Sequence, residues 1–386
     1  MRITLKALSP VHIGTGIEYS PLEFVLNTDK GNKDWLWRID PSRFLSSLSE
    51  ERRDQFVAAV NNTNFDLKRF AQGMDLRLMR RYIVRNFTGK SHIPAVRECI
   101  KTADRAYLPG SSLKGAFRTA LLWSVAKDDE RFVSAIREEA RERMNKGTIG
   151  KRYEESVFNC SNEKYNPTYD LLKFLAVSDF MPKAVNNIRL DKVRTLSLGR
   201  DGGLEEKKFE IFVEAVIRSF EGTIGVSEQI AAAIRHPEYR NLGQKLAILG
   251  MDGPDDTDAV IPHLKKVMRE FNLWCLKKER RLAEEAHDKG IEKKMNGIEN
   301  RLGKSDLIRV GFGVGTTYQT LFGLIEEKDP ELAAEIASNI GRYRRTVSPK
   351  GCLEPPYPKT IEMTAAGYFL GWLEWLNSDD SNLHSA

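Results

Sequence analysis

Lys114 and Arg118 stand four residues apart, just after a Pro109-Gly110 turn and two adjacent hydroxyls, Ser111 and Ser112. The turn breaks the preceding segment, and either serine can cap the helix that follows. Leu113, Phe117 and Leu121 recur at helical spacing with Ala116 and Ala120 beside them, which marks a buried stripe. The two cations then share a neighbouring face in the first two turns. Free amides, hydroxyls and cations gather at one helix N-terminus, where the dipole disfavours a cation unless an anion accepts from both. The chemistry this predicts is phosphate binding. The plainer alternative is a pair of cations solvating an amphipathic helix. The segment is not a P-loop, because no hydroxyl follows Lys114, and ATP chemistry is disfavoured.

Two further stretches place glycines where backbone can approach a ligand: Ser9-Pro-Val-His-Ile-Gly-Thr-Gly16 and Gly311-Phe-Gly-Val-Gly315. His12, within the first, carries an imidazole suited to acid–base work near neutral pH, although a lone histidine beside a loop more often packs or hydrogen-bonds. Residues 61–90 interleave Lys68, Arg69, Arg77, Arg80, Arg81 and Arg85 with Phe65, Phe70, Tyr82 and Phe87. That pattern suits single-stranded nucleic acid, or equally a solvated helix over a core. The four cysteines and six histidines are scattered without ligand spacing, so no metal or other cofactor is expected.

The elements that must position these residues follow from patterning. Ile3, Leu5 and Ala7 alternate with Arg2, Thr4 and Lys6, which predicts a strand and not a signal peptide. Leu22–Leu26 and Trp35–Ile39 read as a hairpin, and Asp40-Pro41 caps a helical stretch to about Val60. Helices are expected from Leu113 to about Arg143. Strands are expected over Leu172–Phe180, Ile188–Leu198 and Lys208–Ser219, with a turn at Gly199–Gly203. A charged stretch from Pro262 to about Arg301 reads as a solvent-laced helix, because Lys277, Lys278, Arg280 and Arg281 alternate with Glu279, Glu284 and Glu285. Leu307–Val310 should lead into the late glycines, with a helix near Tyr318–Ile325 beyond them. Arg342, Arg344 and Arg345 form a basic knot, Lys359–Met363 reads as extended, and Phe369, Trp372 and Trp375 fall at helical spacing in a core-forming tail. The mixture predicts an α+β protein. With 386 residues the chain has room for two domains or one elaborated one, and 60 basic against 54 acidic residues leave any polyanion binding to local patches. No apolar run approaches a membrane span, so a soluble, cytoplasmic protein with no membrane partner and reduced thiols is expected.

As an ordered set, Ser9–Gly16, Tyr107–Arg118 and Gly311–Gly315 resemble the RAMP superfamily of CRISPR effector proteins. Length, the helical insert and Pro356–Met363 look most like the fifth subunit of the type III-A (Csm) complex. The resemblance implies RRM-like, ferredoxin-like modules with helical insertions: an N-terminal module over 1–204 with an insert at about 41–100, and a second over 205–386 with a long insert at about 226–305. It implies a non-catalytic subunit that holds the 3′ part of a guide (CRISPR) RNA, caps the backbone filament beside other Csm subunits and assists guide maturation. Target RNA and a host nuclease recruited in trans are further partners it leaves open. By the motif match Lys114 and Arg118 would meet guide phosphates, with Ser111, Ser112, His12, Gly14, Gly16 and the glycines at 311, 313 and 315 around them. Glu18 stands roughly where the family's cleaving subunits carry an aspartate, but with no acid placed opposite it a structural role is preferred. Two alternatives remain at this point: a metal-independent guide-precursor ribonuclease using His12 or Glu18, and a protein-interaction scaffold docking through residues 262–301.

Overall fold

The computed structural model describes the chain apart from residues 30–31, 62–64, 145–148, 184–187, 341–345, 348–352, 355–356 and 377–386. The alternating N-terminal segment is a strand, Arg2–Ala7, with Ile3 and Leu5 buried. It lies inside a six-stranded antiparallel sheet, between Ser219–Val226 and Trp372–Leu376. Met181–Pro182 and Leu175–Val177 pair with the former, and Asp306–Arg309 pairs with the latter. The first and last strands of the described chain are therefore neighbours. The aromatic tail is core as expected but not helical. Trp372, Leu373 and Trp375 belong to a strand covered on both faces, and such a strand loses the alternation that would distinguish it from a helix.

A nine-stranded mixed sheet forms the other layer, in the order Gly14–Tyr19, Val96–Cys99, Ile211–Val216, Ile188–Leu198, Arg80–Asn86, Asn32–Ile39, Phe24–Asp29. Leu204–Glu206 and Thr360–Thr364 also pair with Ile188–Leu198, around the predicted turn. Both sheets take strands from either side of residue 204. The hairpin Phe24–Asp29/Asn32–Ile39 forms as patterned. Asp40 caps Pro41–Ser47, accepting from the Ser42 and Arg43 amides, but Ser49 starts a separate helix, Glu50–Val60. Within 61–90, Phe65 and Phe70 join Phe44 and Phe56 in a small core under this insert, Tyr82 is buried, and Phe87 is exposed. Leu171–Phe174 is a 3-10 turn, which leaves only Leu175–Val177 as strand. The strand expected over Lys208–Ser219 runs Ile211–Val216, and Ser219 opens a separate strand in the other sheet.

The charged stretch is two helices, Val260–Glu285 and Lys289–Leu302, parted at His287, whose φ is +52°. It is less solvent-laced than its sequence suggests, because Lys278 and Glu279 are both buried. Lys278 pairs with Glu326 and Glu327, and Glu279 pairs with Arg309, so tertiary partners replace water. Arg342, Arg344 and Arg345 lie outside the described residues. No helix among the described residues is long and apolar enough to cross a membrane.

Candidate nucleic-acid interface

The helix carrying the motif runs Gly110–Ala126, and its predicted stripe holds: Leu113, Phe117 and Leu121 are fully buried. Phe117 packs 6.1 Å from the Trp375 ring on the last strand, while Trp123 meets Phe271 and Trp274 of the long helix, each at 5.6 Å. The helix is thereby held between sheet and insert. Its start is tightly seated. A Cβ on Gly110 would stand 2.3 Å from the Val177 carbonyl oxygen, so only glycine lets the turn close on that strand. The expected serine cap does not form. Pro109 occupies the cap position, both serines fall inside the first turn, and the Gly110 amide donates instead to Asp179 Oδ1 at 2.8 Å. A carboxylate brought from another segment thus meets the positive end of the helix, which the local sequence gave no means of seeing.

The two cations have different surroundings. Arg118 is engaged by Glu154 and by both oxygens of Asp170, at 2.9 and 3.1 Å, and its guanidinium lies 4.3 Å from the Phe158 ring centroid. It ties the motif helix to the helix Lys151–Phe158 and to the turn at Asp170. Lys114 is half-buried and has no hydrogen-bond or ion-pair partner among the described residues. Burial pulls its ammonium below the usual lysine value, with Arg118 adding to the effect and Asp170 opposing it.

The two glycine-bearing loops meet each other beside this helix. The Phe312 amide donates to the His12 carbonyl at 2.8 Å, and the Gly371 amide donates to Pro10 at 2.9 Å. Gly311 has φ +93°, and a Cβ there would lie 2.4 Å from the His12 carbonyl oxygen, so the contact requires glycine twice over. His12, Gly14, Ser112, Gly115, Gly311 and Phe312 all border one open cavity of about 520 Å³. Three segments far apart in sequence therefore share one wall. Gly313 and Gly315 belong to the same loop, and their amides donate to no other described residue. Arg118 borders a second cavity of about 380 Å³, which shares Thr119 and Gln319 with the first as lining residues. Ser111 is exposed, and Gly16 lies on the strand beyond the cavity rim.

His12 is buried, with Nδ1–H donating to the Glu214 carbonyl at 2.6 Å and its ring edge-on to Phe312. Burial pushes its pKa down to about 4, against the opposing pull of Glu214. A neutral imidazole with Nδ1 committed to the Glu214 carbonyl braces the loops and, although it borders the cavity, lacks the near-neutral pKa that suits a general acid or base. Glu18 is exposed and pairs with Arg97 at 2.9 Å. No cluster of metal-ligating side chains is present among the described residues.

Residues absent from the sequence-level set hold the site together. Arg309 is buried and donates to Glu279 at 2.7 Å, to the Leu370 carbonyl at 3.1 Å and to the Gly313 carbonyl at 3.3 Å. One guanidinium thus links the long helix, the turn before the last strand and the glycine loop. A lone arginine within the apolar run Leu307–Val310 was the available signal, since an unpaired charge is rarely buried. Behind the other loop, the buried Glu214 carboxylate accepts from Tyr19, Tyr82 and the Cys99 amide at 2.9–3.0 Å and pairs with Lys101.

Comparison with known proteins bears on this arrangement. A model of the RAMP superfamily matches residues 4–316. The chain is 21% identical over 343 residues to the CRISPR system Cms protein Csm5 of Methanocaldococcus jannaschii, covering 85% of this chain and 74% of that one. It is 26% identical over 236 residues to the Csm5 protein of Streptococcus thermophilus, covering 54% and 63%. In fold it is similar to a chain of a cryo-EM Csm–crRNA–target RNA ternary complex of a type III-A CRISPR-Cas system, with a TM-score of 0.73, 22% identity, and 97% and 100% of the two chains covered. The crystal structure of T.onnurineus Csm5 matches with a TM-score of 0.64 at 21% identity, covering 96% and 99%. The motifs, the α+β fold and a family match spanning most of the chain agree, and this chain belongs to the RAMP superfamily.

Proposed function

We propose that the chain is a non-catalytic RNA-binding subunit of a type III-A CRISPR ribonucleoprotein, holding the 3′ part of the guide RNA, capping the backbone filament and assisting guide maturation. The observation that carries this reading is the shared wall: the segments at 12–14, 112–119 and 309–319 border one open cavity, while Lys114, on another face of the same helix and outside that wall, has no ion-pair partner among the described residues. An ammonium without a carboxylate partner is the natural complement of a phosphate, and the amide of the exposed Gly315 adds a donor for phosphate oxygens. Such contacts position a strand without reading its bases, as a subunit that accepts guides of many sequences requires. The Csm5 relatives, and the crRNA and target RNA named with the structural neighbour, accord with this ligand class. The burial of His12 and the pairing of Glu18 favour a binding role over a ribonuclease.

The test is native purification of the tagged protein and sequencing of the RNA that accompanies it, with Lys114→Ala and Arg118→Ala alongside. Short RNAs sharing a repeat-derived tag, retained with other subunits, are the expected result. Lys114→Ala should weaken binding about equally for all sequences and lower the salt slope by about one. Arg118→Ala should instead lower the melting temperature, because it strands Glu154 and Asp170. Recovery of bulk cellular RNA, or of none, would turn the reading to a protein scaffold.

A further inference from the structure

We propose that a second surface, the open sheet face carrying Trp35, Arg85 and Phe87, takes the bases of single-stranded RNA by stacking. The proposal rests on the chain being an RNA-holding subunit, and it concerns a different part of the molecule from the glycine-loop cavity. Trp35 and Arg85 are register partners across two adjacent antiparallel strands, and Phe87 follows Arg85 by two residues, so all three share one face. Trp35 is 38% exposed and Phe87 41% exposed, whereas large aromatic side chains elsewhere in these sheets are mostly buried. The insert helices cover one end of the same face, where Val25 and Trp37 pack into the small core, and they stop short of Trp35.

What remains open is cationic as well as aromatic. The Arg85 guanidinium lies 4.9 Å from the Phe87 ring centroid, and that of Arg189 lies 3.9 Å from it. Arg189 is held flat by two 2.6 Å bonds to Asp191, so its charge is balanced and its plane is fixed. Arg85 is exposed and has no carboxylate partner among the described residues. Further along the face, Arg80 lies over the Trp37 ring at 5.1 Å. Exposed aromatic rings beside an unbalanced guanidinium form a platform on which any base can stack while a phosphate meets the cation. An acidic or apolar protein segment would use only half of that chemistry, so an unpaired RNA strand is the occupant the surface fits.

The experiment compares the full-length wild type with Trp35→Ala/Phe87→Ala and with Lys114→Ala. The probes are an oligouridylate and an abasic ribose-phosphate oligomer of equal length. Stacking predicts that wild type prefers the oligouridylate by roughly five-fold or more. The double variant should lose that preference while binding the abasic oligomer as before. Lys114→Ala should weaken both probes alike and leave the preference in place. Because both rings are also partly covered, the melting temperature of the double variant is measured alongside and binding is compared where each protein is fully folded. A preference that survives in the double variant, or equal binding of both probes by wild type, overturns the platform alone. A double variant that fails to join neighbouring subunits with its RNA preference intact overturns it in favour of a protein-docking face. Failure of both probes to bind wild type overturns the RNA-holding reading and this one together.

Discussion

At the scale of single residues, the telling contrast is between groups that look reactive and groups that are free. His12 has the chemistry of an acid–base residue, yet its Nδ1–H is committed to the Glu214 carbonyl and its pKa is depressed to about 4. That depression makes folding pH-dependent. The unfolded histidine titrates near 6.5, so its contribution is complete above that pH. Between about pH 6.5 and pH 4 the unfolded chain binds a proton that the folded chain refuses, and up to about 3 kcal/mol of stability is lost as pH falls. Urea unfolding midpoints across that window should fall in the wild type and fall less in His12→Gln. A His12→Gln profile as steep as wild type would mean that other groups set the slope. Arg118 and Lys114 look equivalent in sequence but differ by two carboxylates supplied from residues 154 and 170.

At the scale of elements, the glycine loops act as a joined pair. Gly311 must hold a positive φ and also admit the His12 carbonyl at a distance no side chain tolerates. Gly311→Ala should therefore cost about 1–3 kcal/mol and separate the loops. The melting temperature should drop, and RNA affinity should fall further than in a surface substitution of equal stability. A Gly311→Ala protein with wild-type melting and binding would show that the loop adapts and that its closure is dispensable. The existence of these elements was largely legible. The first strand and the motif helix appear where patterning placed them, because one face of each is buried and the other is not. The hairpin and Ile188–Leu198 were legible from residue type and turn signals, although each buries residues on both faces. The C-terminal strand and the buried charges of the long helix were not legible. Burial on both faces erases periodicity, and a buried ion pair depends on partners distant in sequence.

At the scale of the whole molecule, Arg309 is where the long helix, the turn before the last strand and the glycine loop are fastened together. Removing it leaves Glu279 buried without a counter-charge, so Arg309→Met should cost about 3–5 kcal/mol. Arg309→Met combined with Glu279→Leu should recover part of that loss in equilibrium unfolding, because the unpaired charge is gone. A double variant as unstable as the single would assign the cost to the lost Gly313 and Leu370 contacts instead. Sequence alone determined that this is an α+β chain with three glycine-bearing or cationic segments suited to phosphate, since turn chemistry, periodicity and residue type are local properties. Tertiary structure decided which of those groups are available. Asp179 took the helix N-terminus from the serines, Glu154 and Asp170 took Arg118, and the Glu214 carbonyl took His12. Among the described residues, Lys114 and the amides of Gly313 and Gly315 were left uncommitted, because whether a polar group is free depends on partners the fold brings from far along the chain.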